Sequence, residues 1–244
     1  MKKRIDLLLT EKGLFSTRSK AVMAINNGSI EVNGAIVLKA GEKFDESSDI
    51  QIVGETLKYV SRGGLKLEKA INVFNLDLNG KVVLDLGAST GGFTDCALQK
   101  GATKVFSVDI GSNQLVESLK NDKRVVNLEK TDAKSLNIDI FNQCDFIVAD
   151  ISFVSIVKII EGIIDKISNQ KLMLLIKPQF ECGIEIAKKY KGVIRDECLS
   201  KEIADKTIKD LEKLGLRLLG IETSPIKGGD GNTEYITYLV KTNC

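Results

Sequence analysis

The chain has 244 residues, 43% of them hydrophobic and 28% charged, with a formal net charge of +2. That length holds one large domain or a main domain with a small companion, and the near-neutral total excludes a polycation, so any nucleic-acid surface must come from local clustering. Histidine is absent, which excludes Ser-His-Asp and Cys-His catalysis and histidine-ligated zinc, and the five cysteines have no metal-ligand spacing and read as reduced thiols.

The chain opens with "MKKRIDLLLTEKG", whose three-leucine run is shorter than the roughly seven apolar residues of a secretory signal. No stretch approaches the ~20 residues needed to span a bilayer, so the expectation is a cytoplasmic protein with no membrane partner. Residues 4–27 carry two short helical patterns, the first marked by Ile5, Leu8 and Leu9, the second starting near Ser16 or Thr17. In "GSIEVNGAIV", Ile30 and Val32 alternate with polar residues, and Asn33-Gly34 is a strong hairpin signal. Residues 40–56 are polar and acidic, and "LKYVSRGG" leads into the next unit.

From Gly64 the pattern changes. Leu67, Ala70, Ile71 and Phe74 form one helical face, and strands are expected at 81–86, 104–109, 124–128, 144–149 and 171–176, with helices between them. Such alternation predicts an α/β fold with a parallel sheet flanked by helices. Residues 153–167 read as a helix apolar on one face that packs on the sheet, and a last helix covers about 197–213. Strands at 216–222 and 234–240 suggest a closing antiparallel pair.

The glycine-rich turn "LDLGASTGGF" follows the first of these strands. It is not a P-loop, because Phe93 stands where the lysine is needed, and Ser89 replaces the second glycine of the dinucleotide fingerprint. A nucleoside cofactor without phosphate remains. S-adenosylmethionine carries a cationic sulfonium and needs close backbone approach and carboxylates more than a phosphate cradle. Gly87, Ser89, Thr90, Gly91, Gly92 and Phe93 supply the turn. Asp85 lies in the strand before it, Asp109 ends the next strand and suits ribose hydroxyls, and Asp132 follows the third strand near an adenine position. This set favours a methyltransferase over a dehydrogenase; the competing reading is a packing turn with helix-capping acids.

Four charged residues at element ends are the catalytic candidates: Lys66, Asp150, Lys177 and Glu234. Asp150 and Lys177 close parallel strands, where such sheets open their ligand crevice. Position alone favours an ordinary surface role for Lys66 and Glu234. In the front unit, Lys2, Lys3, Arg4, Lys12, Arg18 and Lys20 face only Asp6 and Glu11 across residues 1–20. This is either a solvated helix face or a small RNA-binding surface.

The ordered segments resemble known families. "RIDLLLTEKGLFSTRSKAVMAINNGSIEVNG" resembles the S-four-type RNA-binding domain, named for a ribosomal protein. "YVSRGGLKL", "VVLDLGASTGGFTDCALQKGA", "VADISFVS", "LIKPQFE" and "KGGDGNTEYI" resemble the TlyA (hemolysin A) family of ribosomal RNA 2′-O-methyltransferases. The resemblance implies an RNA-binding domain over 1–58, a linker over 59–63 and an FtsJ-like Rossmann methyltransferase domain over 64–244. It implies S-adenosylmethionine as cofactor, bound in part by Asp150, and a catalytic tetrad at Lys66, Asp150, Lys177 and Glu234. It also implies RNA contacts at Arg4, Arg18, Ser19 and Lys20, cytidine 2′-hydroxyls of ribosomal RNA or subunits as substrate, and no metal. Where some relatives have an arginine and a tryptophan between the domains, this chain has Leu57-Lys58-Tyr59-Val60. The alternatives are a non-catalytic RNA-binding or ribosome-assembly factor and, suggested by the hemolysin name, a membrane-active protein.

Overall fold

The computed structural model describes residues 2–15, 17–26, 28–53, 58–228 and 230–242. It divides into two compact units, Met1–Ser61 and Arg62–Cys244.

In the first unit, β1 (Lys2–Arg4), α1 (Ile5–Glu11) and α2 (Arg18–Asn26) precede four short strands, β2 (Ile30–Val32), β3 (Ala35–Ile36), β4 (Lys43–Asp45) and β5 (Ile50–Ile52). The expected hairpin joins β2 and β3 through Asn33 and Gly34, both at positive φ. β5 pairs with the other side of β2, and β1 pairs with β4. The strands β4 and β5 lie in the segment read from sequence only as polar. Three-residue strands are too short to show alternation, and their backbone pairing with distant partners decides them. Ile5, Leu9, Ile25, Ile30 and Val32 form the core of this unit.

The second unit runs α3 (Gly63–Val73), β6 (Val82–Leu86), α4 (Gly92–Gln99), β7 (Lys104–Val108), α5 (Glu117–Lys120) and β8 (Val125–Leu128). It continues with α6 (Ile138–Gln143), β9 (Phe146–Ala149), α7 (Ile156–Glu161), β10 (Lys171–Ile176), α8 (Pro178–Glu181) and α9 (Gly183–Tyr190). The last elements are α10 (Glu197–Lys213), β11 (Leu216–Thr223) and β12 (Tyr235–Lys241). Seven strands form one sheet in the order β11-β12-β10-β9-β6-β7-β8. The pairs among β6 to β10 are parallel, and β12 runs antiparallel between β10 and β11. The fold class is as expected: a Rossmann-like sheet flanked by helices in the second unit, and a small α+β unit at the amino terminus.

Central strands β9 and β10 are apolar on both faces, and Ile147, Leu172, Leu174 and Ile176 are fully buried, as a sheet covered by helices on both sides requires. Each such side chain contributes about 1.5–3 kcal/mol. The helix expected over 153–167 is broken instead. Only Ile156–Glu161 is α-helical, and a 3₁₀ turn covers Ile164–Lys166. Phe153 stands at φ +69, outside helical geometry. Gly162 caps α7, where the side chain of Lys134 packs so closely that a Cβ would collide with it.

Candidate active site

Leu86 is in register with both Val108 and Ala149. The next residue of each strand, Gly87, Asp109 and Asp150, therefore comes out side by side at the carboxyl edge. The strand order reverses there, between β6 and β9, and doubly wound sheets bind ligands at such a point. A cavity of about 320 Å³ opens at this place, with Gly87, Ser89, Asp109, Asp132 and Asp150 in its wall. That size suits a small-molecule site.

The turn is shaped for close approach. Gly87 has φ +81, and a Cβ there would stand 3.1 Å from both the Asp150 carbonyl oxygen and Ile151 Cγ1. Gly91 has φ +99 and caps α4, with Leu115 and Leu119 filling the space a side chain would need. Asp109 staples the turn: its Oδ2 accepts the Ser89 N–H at 2.7 Å and its Oδ1 accepts the Gly111 N–H at 2.7 Å. Asp132 caps a 3₁₀ turn through the Lys134 N–H.

Not every turn residue faces the cavity. Thr90 is exposed on the turn, whereas Gly91, Gly92 and Phe93 are buried where the turn enters α4. None of these four is in the cavity wall. Asp85 lies beneath it, 1% exposed, between β6, β7 and α4. The Thr94 hydroxyl donates to its Oδ2 at 2.6 Å and lies 2.7 Å from the Ser107 hydroxyl, and Oδ1 has no partner among the described residues. Burial pushes the Asp85 carboxyl up to about 7, against the opposing pull of the Thr94 hydroxyl.

The four residues singled out as catalytic candidates form one continuous chain of charge. Lys177 Nζ lies 2.6 Å from Asp150 Oδ1, Lys66 Nζ lies 3.1 Å from Asp150 Oδ2, and Lys66 Nζ lies 2.7 Å from Glu234 Oε2. Register explains half of this: Ile176 pairs with Tyr235, so Lys177 and Glu234 leave the same edge of adjacent antiparallel strands. Lys66 and Glu234, read from position as surface residues, are instead buried at 7% and 3% exposure. Ion pairing is what permits it, since an isolated buried charge is prohibitively costly. Burial would push the Asp150 carboxyl up, but the Lys66 and Lys177 ammoniums outweigh it and hold it below the usual carboxylate range. Burial likewise opposes the Lys66 ammonium, and Asp150 and Glu234 overcome that and raise it above the ordinary lysine value. Asp150 belongs both to this chain of charge and to the cavity wall.

Sequence reasoning missed three supporting residues. Ser152 accepts from Lys177 Nζ at 2.7 Å and lines the cavity, three residues from the end of a motif that names only Asp150. Gln114 forms part of another wall. Glu129 holds the loop that carries Gln114, accepting the N–H groups of Asn113, Gln114 and Leu115. The Asn113 N–H, with the other donors, pulls the Glu129 carboxyl down to about 2. No local pattern marks a carboxylate that caps a loop 15 residues away.

In the first unit, Arg4 and Arg18 converge on one fully buried carboxylate. Arg4 Nη2 lies 2.9 Å and Arg18 Nη2 2.8 Å from Asp6 Oδ2. Arg4 chiefly, with Arg18, holds the Asp6 carboxyl below its usual range against the cost of burial. Both guanidiniums remain about half exposed. Lys20 is exposed, and the Ser19 side chain lies outside the described residues.

The sequence matches the FtsJ-like methyltransferase model over residues 59–241 and the S4 domain model over residues 3–50. It is 42% identical over 240 residues to Hemolysin A of Brachyspira hyodysenteriae, covering 97% of this chain and 99% of the relative. It is 34% identical to the 16S/23S rRNA (cytidine-2′-O)-methyltransferase TlyA of Mycobacterium tuberculosis, covering 97% and 89%. A solved hemolysin-type structure from Streptococcus thermophilus matches with a TM-score of 0.76 and 38% identity over 99% of this chain and 89% of that one. An S-adenosylmethionine-dependent methyltransferase structure from Listeria monocytogenes, 17% identical with a TM-score of 0.53, shares the fold over 74% of this chain and 99% of its own. No helix among the described residues is long and apolar enough to cross a membrane. The chain belongs to the TlyA (hemolysin A) family of FtsJ-like methyltransferases that carry an amino-terminal S4 domain.

Proposed function

We propose that this protein transfers the methyl group of S-adenosylmethionine to a ribose 2′-hydroxyl of ribosomal RNA, at cytidine, as the printed name of its mycobacterial relative states for that protein. The observation that carries the reading is the double position of Asp150, which lines the cofactor-sized cavity and holds Lys66 and Lys177. Three acidic residues, Asp109, Asp132 and Asp150, line the cavity, and Gly87 in its wall lies so close to Asp150 and Ile151 that a Cβ would crowd both. This set fits a cationic sulfonium nucleoside without phosphate. When bound there, S-adenosylmethionine supplies an electrophilic methyl group.

A ribose hydroxyl is a weak nucleophile and must lose its proton as the new O–C bond forms. Lys177 holds that oxygen and receives the proton, a step open to it only as the free amine. Asp150 aims Lys177, and Glu234 aims Lys66 while balancing its charge. In-line positioning of the two reacting atoms supplies much of the acceleration. The S4-domain unit brings the RNA. In this reading the RNA-binding domain spans 1–58, the linker 59–63 and the methyltransferase domain 64–244.

The direct test uses ribosomal subunits from cells lacking the protein, tritiated S-adenosylmethionine and mapping of 2′-O-methyl sites. Label at one or a few riboses is expected. Label on a base, or no transfer to either subunit with the cofactor bound, overturns the reading.

A further inference from the structure

Helix α9 buries none of its residues, and Ile184 on it is 74% exposed. Its Ile186, Ala187 and Tyr190 are only half-buried, and an eight-residue helix with so little packing gains little in water, so something beyond core burial accounts for its sequence. From Gly183 to Arg195 four cations, Lys188, Lys189, Lys191 and Arg195, stand against one acid, Glu185. All four cations are exposed, and none forms an ion pair among the described residues. The lysines of α9 are left available to an outside anion.

Their placement is fixed at both ends by the catalytic edge. On one side α9 follows α8, whose N-cap residue is Lys177. On the other, Asn232, 1% exposed, accepts the Ile194 N–H at 2.8 Å and donates to the Gly192 carbonyl at 3.0 Å. Asn232 lies two residues before Glu234. The cationic segment is thus strapped between the segments that carry Lys177 and Glu234.

We propose that α9 and the turn after it, Lys188 to Arg195, contact the phosphates of the RNA strand that presents the target ribose, as a second RNA surface within the methyltransferase unit. The proposal rests on the RNA-methylation reading above and adds where that unit holds the strand. Phosphates flank every ribose, so a row of unpaired cations beside the reacting edge binds them without reading sequence.

The test compares the full chain with Lys188→Glu/Lys189→Glu/Lys191→Glu and with the triple Gln variant. Binding of ribosomal RNA is measured by filter retention over a salt series, alongside cofactor calorimetry, methyl transfer and thermal unfolding. RNA binding and KM for RNA should worsen roughly tenfold in the Glu variant and less in the Gln variant, with the salt slope reduced by roughly two. Cofactor affinity, kcat at saturating RNA and the unfolding temperature should stay near those of the parent. Unchanged RNA affinity and salt slope in a folded Gln or Glu variant overturn the proposal. So does a variant that loses only binding to anionic phospholipid vesicles. A parent chain that binds RNA but transfers no methyl defeats the methylation reading instead, and the filter assay still decides this surface.

Discussion

Lys66 and Glu234 are separated by 168 positions in the chain and meet at 2.7 Å, both buried. Removing one partner strands the other charge out of water, which typically costs about 3–5 kcal/mol. Lys66→Met should therefore lower stability sharply, and adding Glu234→Gln should recover most of the loss. Urea unfolding of the two single variants and the double variant measures this. Additive losses would mean that the two residues do not stabilise each other.

Lys177 separates catalysis from binding. Lys177→Ala should reduce methyl transfer by roughly a hundred- to ten-thousand-fold, the range for lost acid–base help, while S-adenosylmethionine and RNA still bind. Lys177→Arg should fail as well, because a guanidinium does not give up its proton to act as a base. Near-full activity in the Arg variant would make Lys177 an electrostatic holder of the oxygen and not the proton acceptor.

Asp109 has two duties, one structural and one toward the cofactor. Asp109→Ala leaves the Ser89 and Gly111 N–H groups without their acceptor and removes the proposed ribose contact. Cofactor affinity should drop roughly tenfold or more, as expected when a charged hydrogen-bonding group is lost. Asp109→Asn should retain part of it. Calorimetry with both variants checks this, and an unchanged affinity in the Ala variant would remove Asp109 from the cofactor site.

Asp85 makes stability depend on pH. Its carboxyl titrates near 7 when folded, because burial penalises the charge, and near the usual carboxylate value when unfolded. Between those values the folded chain holds a proton that the unfolded chain has released. Stability should therefore decline as pH rises from about 4 to about 7, by at most about 4 kcal/mol, and change little from this source above it. Asp85→Asn should flatten that decline and exceed the parent in unfolding temperature at pH 8. Parallel curves for parent and variant from pH 5 to 8 would sink the assignment.

The front unit needs a particular choice of variant. Reversing Arg4 or Arg18 disturbs the buried Asp6 as well as any RNA contact, so loss of binding would be ambiguous. Lys20→Glu with Lys12→Glu touches no buried partner among the described residues, and both positions are exposed. RNA affinity should fall and lose part of its salt dependence, with the fold intact by circular dichroism. Equal affinity at low salt would mark this face as merely solvated.

The strands of the larger unit were legible in the sequence because each is a run of apolar residues bounded by turn residues, and periodicity is a local property. The hairpin at Asn33-Gly34 and the glycine turn at Gly87 were legible for the same reason: backbone at positive φ narrows the residue choice locally. The sequence also showed carboxylates at successive strand ends and the order of its family motifs. Tertiary structure decided the rest. It brought Asp109 and Asp150 level with Gly87 through strand register, and it placed Asp85, Gly91 and Phe93 beneath or behind the cavity although they share its motif. It buried Lys66 and Glu234, which look like surface residues until Asp150 and each other are beside them. It bound Arg4 and Arg18 to Asp6. The physical reason is common to all of these: a charge is buried or exposed according to partners far away in the chain, and no local pattern encodes which distant charge will arrive.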